Sequence, residues 1–191
     1  FAGLEKGNGL EITLGFLLEL AYAIFYGDLI MSAFDQTKPY EKEEGAAAKA
    51  REECVKYIRS SFDNKRYSRF ARNVKYILNA FESVPVELKP KVTGGIVAEI
   101  YVKYSPLGNS HLEDFLLSEG CEPVVPALMD FILYCVVNNL NDAKFYGRRS
   151  AATPLFALAY RWLLAKQRKL IRLTKKYSRF EPVHDFEHLR K

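Results

Sequence analysis

Residues 94–111, GGIVAEIYVKYSPLGNSH, set one carboxylate, Glu99, among Ile96, Val97, Ala98, Ile100 and Tyr101. If the apolar run is a strand ending near Ala98, Glu99 stands at its carboxyl end, where open parallel sheets bind ligands. A carboxylate there could accept a hydrogen bond from a ligand hydroxyl or amide, or take a substrate proton. The structural alternative is a Glu that pairs with Lys103 or caps a neighbouring helix. Ser105 and Asn109 belong to the turn that follows. Backbone N–H groups at a helix start attract anions, which makes this turn a candidate cradle for a phosphate, although Asn109 and Ser110 would equally serve as plain helix caps. Glu99, Ser105 and Asn109 are the candidate ligand-binding residues.

The other chemistry-bearing residues are sparse. The three cysteines, Cys54, Cys121 and Cys135, are far apart, odd in number and without C-x-x-C spacing. That argues against a secreted disulfide framework and for a reducing, cytoplasmic setting. Thiolates hold iron–sulfur clusters, normally four to a cluster. Cys135 is the cysteine to weigh as a cluster ligand, and it reads more simply as a small buried hydrophobe. His184 and His188, four apart, would share a helix face as zinc ligands can, but no third ligand accompanies them or His111, so no metal is expected. No phosphate loop and no nucleophile–base pair is present, and the chain by itself is not expected to catalyse a reaction.

These residues need a scaffold, and composition says one is available. Of 191 residues, 49% are hydrophobic and 27% charged, the balance of a chain with a real core. The net charge of +5 is uneven: residues 143–191 hold thirteen Lys and Arg against three acids. This hints at an anionic partner. A nucleic acid is not expected, because no recognition motif accompanies the charge and the aromatics of the basic helix fall on its presumed core side. The apolar run Leu14–Ala33 is broken by Glu19 and Asp28 and reads as a buried helix, with no membrane expected.

Residues 1–11, with three glycines, read as a loop. A helix starts at Thr13, which can cap it, and ends before Pro39. Helices follow over Ala46–Ser60, with Cys54, Val55 and Ile58 inward, and over Tyr67–Phe81, with Phe70, Val74, Ile77 and Leu78 inward. The period then changes. KVTGGIVAE and EPVVP (122–126) read as strands. The helix between them has a capping box, Ser110 with Glu113, and a stop at Gly120. ALMDFILYCVVNNL is a further, mostly buried helix, NDAKFYGRRS a loop, and Thr153–Tyr177 a long basic helix. The fold expected is α/β, mostly helical, with a small parallel sheet in a βαβ (Rossmann-like) unit packed by long helices. A helical segment over 1–85 precedes the βαβ unit and C-terminal helices of 86–191. Two parallel strands make a poor independent sheet. Together with a first residue that is not Met and a last segment that reads as the start of another element, this leads us to expect a compact fragment of a larger protein.

The stretch GGIVAEIYVKYSPLGNSHLEDFLLSEGCEPVVPALMDFILYCVVN closely resembles a segment of the acyl-CoA dehydratase activase-related proteins. These are large bacterial proteins that look like 2-hydroxyacyl-CoA dehydratase components, sometimes fused to the activating ATPase (the CoA-substrate-specific enzyme activase). TKPYEKEEGAA resembles the family's upstream segment and YSRFEPVHDFEHL its downstream one, so that the resemblance spans about Phe25 to Leu189. One departure is Ala98, where the family usually has glycine. The resemblance implies an acyl-CoA ligand and, in the parent protein, a [4Fe–4S] cluster, with none expected in this fragment alone. The cluster cysteines of the dehydratases come mainly from segments upstream of this chain. Implied partners are the rest of the parent chain and the activating ATPase or a dehydratase subunit. Two functions remain open: helping to form an acyl-CoA or iron–sulfur site, or docking the ATPase or a partner subunit.

Overall fold

Thr13 opens the first helix as expected, its hydroxyl accepting from the Phe16 N–H at 3.1 Å. The computed structural model describes residues 13–147 and 151–189, so the glycine-containing loop of 1–11 lies outside the described residues. The elements, in chain order, are α1 (Leu14–Asp35), a single 3-10 turn (Lys38–Tyr40), α2 (Ala46–Asp63), α3 (Phe70–Glu82), β1 (Thr93–Gly95), α4 (Ile100–Tyr104), α5 (Leu112–Ser118), β2 (Glu122–Val124), α6 (Leu128–Phe145), α7 (Thr153–Tyr177) and α8 (Phe186–Leu189). The fold is α/β and mostly helical, with β1 and β2 paired in parallel, Thr93 opposite Glu122 and Gly95 opposite Val124.

One hydrophobic cluster draws on α1, α2, α3, α6 and α7. It joins both sides of the expected change near residue 85. Aromatic rings fill its centre: Phe25 and Tyr26 of α1 meet Phe70 of α3, and Tyr22 meets Trp162 of α7 edge-on. Phe70, Val74, Ile77 and Leu78 are buried as the periodicity predicts, as are Cys54 and Ile58, but Val55 is exposed. It lies one position past Cys54, about 100° round the helix, and the stripe facing α3 is too narrow to include it.

The expectation of a wholly buried α1 needs correction. Its second half, from Tyr22, is buried, whereas Leu14, Leu17 and Leu20 are exposed. Among the described residues, Leu14–Tyr40 is long and apolar enough to cross a membrane, and 33% of its apolar window is buried. The helix α6 also differs: it continues through Phe145, into the segment expected to be a loop, and buries one face only. Met129, Leu133 and Val137 pack inward, while Phe131, Tyr134 and Phe145 face out.

The βαβ unit is built from short pieces. The strand β1 is three residues long, so Glu99 lies four residues past its end. Gly94 allows α5 to lie on β1, because a Cβ at that position would come within 2.9 Å of the Leu116 side chain. The expected capping box does not form. Ser110 and His111 take φ of +55° and +57°, so Ser110 lacks the extended backbone an N-cap requires. Asn109 accepts from the Leu112 N–H instead, at 3.2 Å, and Glu113 is left free to turn toward α1. The Gly120 stop is as expected. With φ +74° it donates to the Leu117 carbonyl while Cys121 donates to that of Leu116, 3.0 and 2.9 Å, the paired bonds of a Schellman motif. Gly120→Ala should therefore lose about 1–2 kcal/mol, the cost of a Cβ in left-handed backbone, measurable by urea unfolding. No loss of stability would mean that this turn does not hold α5.

Candidate functional site

The chain after α7 decides where the crevice is. Residues 178–185 run back across the bundle and are held at three points. The Arg179 guanidinium meets Glu82 of α3 at 2.9 Å. Glu181 exchanges two hydrogen bonds with the Gln36 side chain, 2.7 and 3.1 Å. Phe180, between these two anchors, and Phe186, just beyond the segment, are buried. Gln167 of α7, 1% exposed, donates to Asp130 of α6 at 2.7 Å and accepts from the Phe186 N–H at 3.1 Å. The tail thereby becomes a wall.

Between this wall, the end of α1 and the segment leaving β2 lies a cleft of about 270 Å³. It runs beside β2 and the segment that leaves it, Glu122 to Ala127. Its polar lining is acidic: Asp28, Asp35, Glu122 and Asp130, with His184 at the rim. Each acid has a defined partner or environment. Asp28 accepts from the Leu128 and Met129 N–H groups at 3.0 and 2.9 Å, so a residue in the middle of α1 caps α6, whose own N-cap Ala127 cannot. Burial pushes Asp28 up to about 6 despite those two bonds. Glu122 accepts from the Tyr40 hydroxyl at 2.6 Å. Asp130 is raised by burial, and the Gln167 bond and His184 pull against that rise.

Asp35 is the most unusual. It is 2% exposed, and burial followed by the facing Glu113 carboxyl pushes it up to about 8, against the pull of Arg51. The two carboxyl groups share a hydrogen bond, which requires a proton between them. The Asp35 Oδ1 has no partner. A neutral carboxyl beside a cleft can donate or accept a hydrogen bond, and can exchange a proton near neutral pH.

The cleft adjoins a second, larger concavity of about 700 Å³ on the far side of the tail. Residues 181–184 line both. The groove is lined by Arg168, Arg172 and Lys175 from α7, by the carboxylates Glu181 and Asp185, and by His184 and His188. Arg168 is paired with Asp185 at 2.9 Å. His184 precedes α8, so the two histidines do not share a helix face as their spacing suggests, yet they meet in this groove.

The residues expected to bind ligand lie elsewhere. Glu99 is exposed and caps α4, accepting from the Val102 N–H at 2.7 Å. Ser105 accepts from the Gly108 N–H at 3.2 Å, and Asn109 caps α5. The acidic cleft and the basic groove are lined by none of these three. Sequence reading missed Asp28, Asp35, Asp130 and Gln167. The available signal was the pair Asp28 and Asp35, seven residues apart and hence on one face of an otherwise apolar helix.

The cysteines do not fit a cluster. Cys54 is buried in the core, its thiol pushed up to about 12 by burial, the reverse of what a thiolate ligand needs. Cys135 lies half-buried within α6. Among the described residues no group of three or more His, Cys, Asp or Glu is placed to hold a metal.

Fold and crevice together define a class: a mostly helical α/β module with an acidic cleft beside β2 and the segment that leaves it. Comparisons with protein-family models, curated proteins and solved structures find no match to this chain.

Proposed function

We propose that this chain is a ligand-binding module of a 2-hydroxyacyl-CoA dehydratase-like or activase-related protein, helping to form an acyl-CoA site and inactive by itself. One observation carries this reading: the acidic cleft and the basic groove lie on the two sides of one thin wall, residues 181–184, which lines both. An acyl-CoA has the matching halves. Its phosphates suit Arg168, Arg172 and Lys175, and its pantetheine amides are donors for the carboxyl groups of the cleft. The resemblance of YSRFEPVHDFEHL to the family's downstream segment supports the same reading, since that segment builds the shared wall.

Titration calorimetry with butyryl-CoA tests it. Arg172→Ala with Lys175→Ala should weaken binding about a hundredfold or more, two lost charged hydrogen bonds of roughly 1.5 kcal/mol or more each, and the loss should grow smaller at high salt. Glu99→Gln should leave affinity unchanged. Equal binding by the wild type and the groove variant, or no binding by either, would overturn the proposal.

The second reading is a docking module for the activating ATPase or a partner subunit. Its support is the uncovered Phe131, Tyr134 and Phe145 of α6, together with Leu155 and Leu158 of α7. Under that reading, charge substitutions at Tyr134 and Leu158 abolish association with the ATPase and leave CoA binding untouched.

A further inference from the structure

The turn joining α2 to α3 encloses a separate cavity, of about 80 Å³, lined by Arg66, Arg69 and Arg72, with Ser60, Ser61 and Asn64. It contains no acidic residue among its lining. No carboxylate forms an ion pair with any of the three guanidinium groups among the described residues. The three arginines are exposed and line one cavity without a counter-charge, so positive charge gathers at its mouth.

Two further features aim at the same space. Ser61 is 6% exposed, and its hydroxyl has no hydrogen-bond partner. A buried hydroxyl left unpaired costs free energy, so such groups call for an explanation. The cavity also lies at the start of α3, whose N-cap Arg69 supplies no side-chain cap. The positive end of the α3 dipole favours an anion there, although the Phe70 and Arg72 N–H groups already donate to the Ser68 and Arg69 carbonyls. The back of the cavity is fixed: Asn73, 1% exposed, accepts from the Tyr57 hydroxyl at 3.2 Å and donates to Tyr26 at 3.2 Å. The arginines therefore project from a rigid base.

We infer that this cavity binds a tetrahedral oxyanion of the phosphate class, either free phosphate or the phosphoryl end of a monoester. The Ser61 hydroxyl donates the inner hydrogen bond. Arg69 and Arg72 supply the planar forks that match phosphate oxygens, and Arg66 closes the outer side. The size agrees, because about 80 Å³ is far below the roughly 300 Å³ at which sites for drug-sized ligands begin. The site is remote in sequence from the groove of α7 and does not depend on the acyl-CoA reading.

The test is calorimetry and thermal unfolding of the chain in inorganic phosphate, against chloride at matched ionic strength, with glycerol 3-phosphate as a second arm. Phosphate should bind and raise the melting temperature where chloride does not. Arg69→Gln with Arg72→Gln should weaken binding about tenfold or more, and Ser61→Ala several-fold. The Ser61→Ala protein should be no less stable than wild type in chloride, since the hydroxyl it loses is unpaired. Binding of both probes supports a monoester ligand, and binding of inorganic phosphate alone supports the free anion. No phosphate effect beyond that of chloride, or wild-type affinity in both variants, overturns the inference.

Discussion

Asp35→Asn is expected to stabilise the protein at pH 9 by roughly 3 kcal/mol and at pH 5 by only about a quarter of that. The direction follows from linkage. Asp35 stands at about 8 in the folded chain and near 3.9 when unfolded, so the folded state holds its proton more tightly. The associated stability is fully present below about pH 4 and is lost as pH rises through about 8. Each unit of difference is worth about 1.4 kcal/mol, and relaxation of the site lowers the total to the order of 3 kcal/mol. The groups facing Asp35 are Glu113 of α5, Arg51 of α2 and Glu122 of β2. Two of the three repel its charge. Glu113 is also raised, by its own burial, so when both groups ionise α5 is pushed away from α1. Asp28 adds a contribution of the same sign, lost as pH rises through about 6. The wild type should thus be less stable at pH 9 than at pH 5, the reverse of ordinary acid denaturation. Asparagine keeps the shape and can donate to Glu113 without a charge. Urea unfolding at pH 5, 7 and 9 measures this, and parallel curves for the two proteins would refute the shared-proton pair.

Asp28→Ala should cost about 2–4 kcal/mol at neutral pH. Both oxygens of this carboxylate cap α6, through Leu128 and Met129, and removing them leaves two N–H groups unpaired in an enclosed place at about 1–3 kcal/mol each. Asp28→Asn retains an acceptor oxygen and should lose less than half as much. The same change loosens the cleft, because α6 carries Asp130 and through it the Gln167 link to the tail. Butyryl-CoA affinity and urea midpoint should therefore fall together in Asp28→Ala. A variant with wild-type stability would show that α6 is held by its apolar face alone.

Much of the scaffold was legible before any coordinates, for reasons that are local. Thr13 followed by an apolar run starts α1, because a hydroxyl can reach an N–H three residues on. Gly120 ends α5, because the left-handed backbone needed there excludes most side chains. The limits of α7, Thr153–Tyr177, follow from Pro154 at its first turn and from sustained helical spacing. The change of period at Lys91 marked the parallel pair. Local reading failed where distant groups compete. Ser110 and Glu113 spell a capping box, but Asn109 takes the cap and Glu113 bonds to Asp35, 78 positions away. Glu99 reads as a strand-end ligand, yet β1 stops at Gly95 and the carboxylate spends its hydrogen bond on α4. Val55 and the outer face of α6 look like core by hydropathy. Whether they are buried depends on which elements arrive beside them.

The order of the long helices and the parallel pair, the start of α1, the stop of α5 and the inward face of α3 were determined by the sequence alone, because each depends on residues within a few positions of one another. The crevice was decided only by tertiary structure. Asp28, Asp35, Glu122, Asp130, Gln167 and His184 lie on α1, β2, α6, α7 and the tail, and only packing brings them to one cleft. Their protonation was decided there too, since the exclusion of water from a carboxyl group is a property of its neighbours in space and not of its neighbours in the chain.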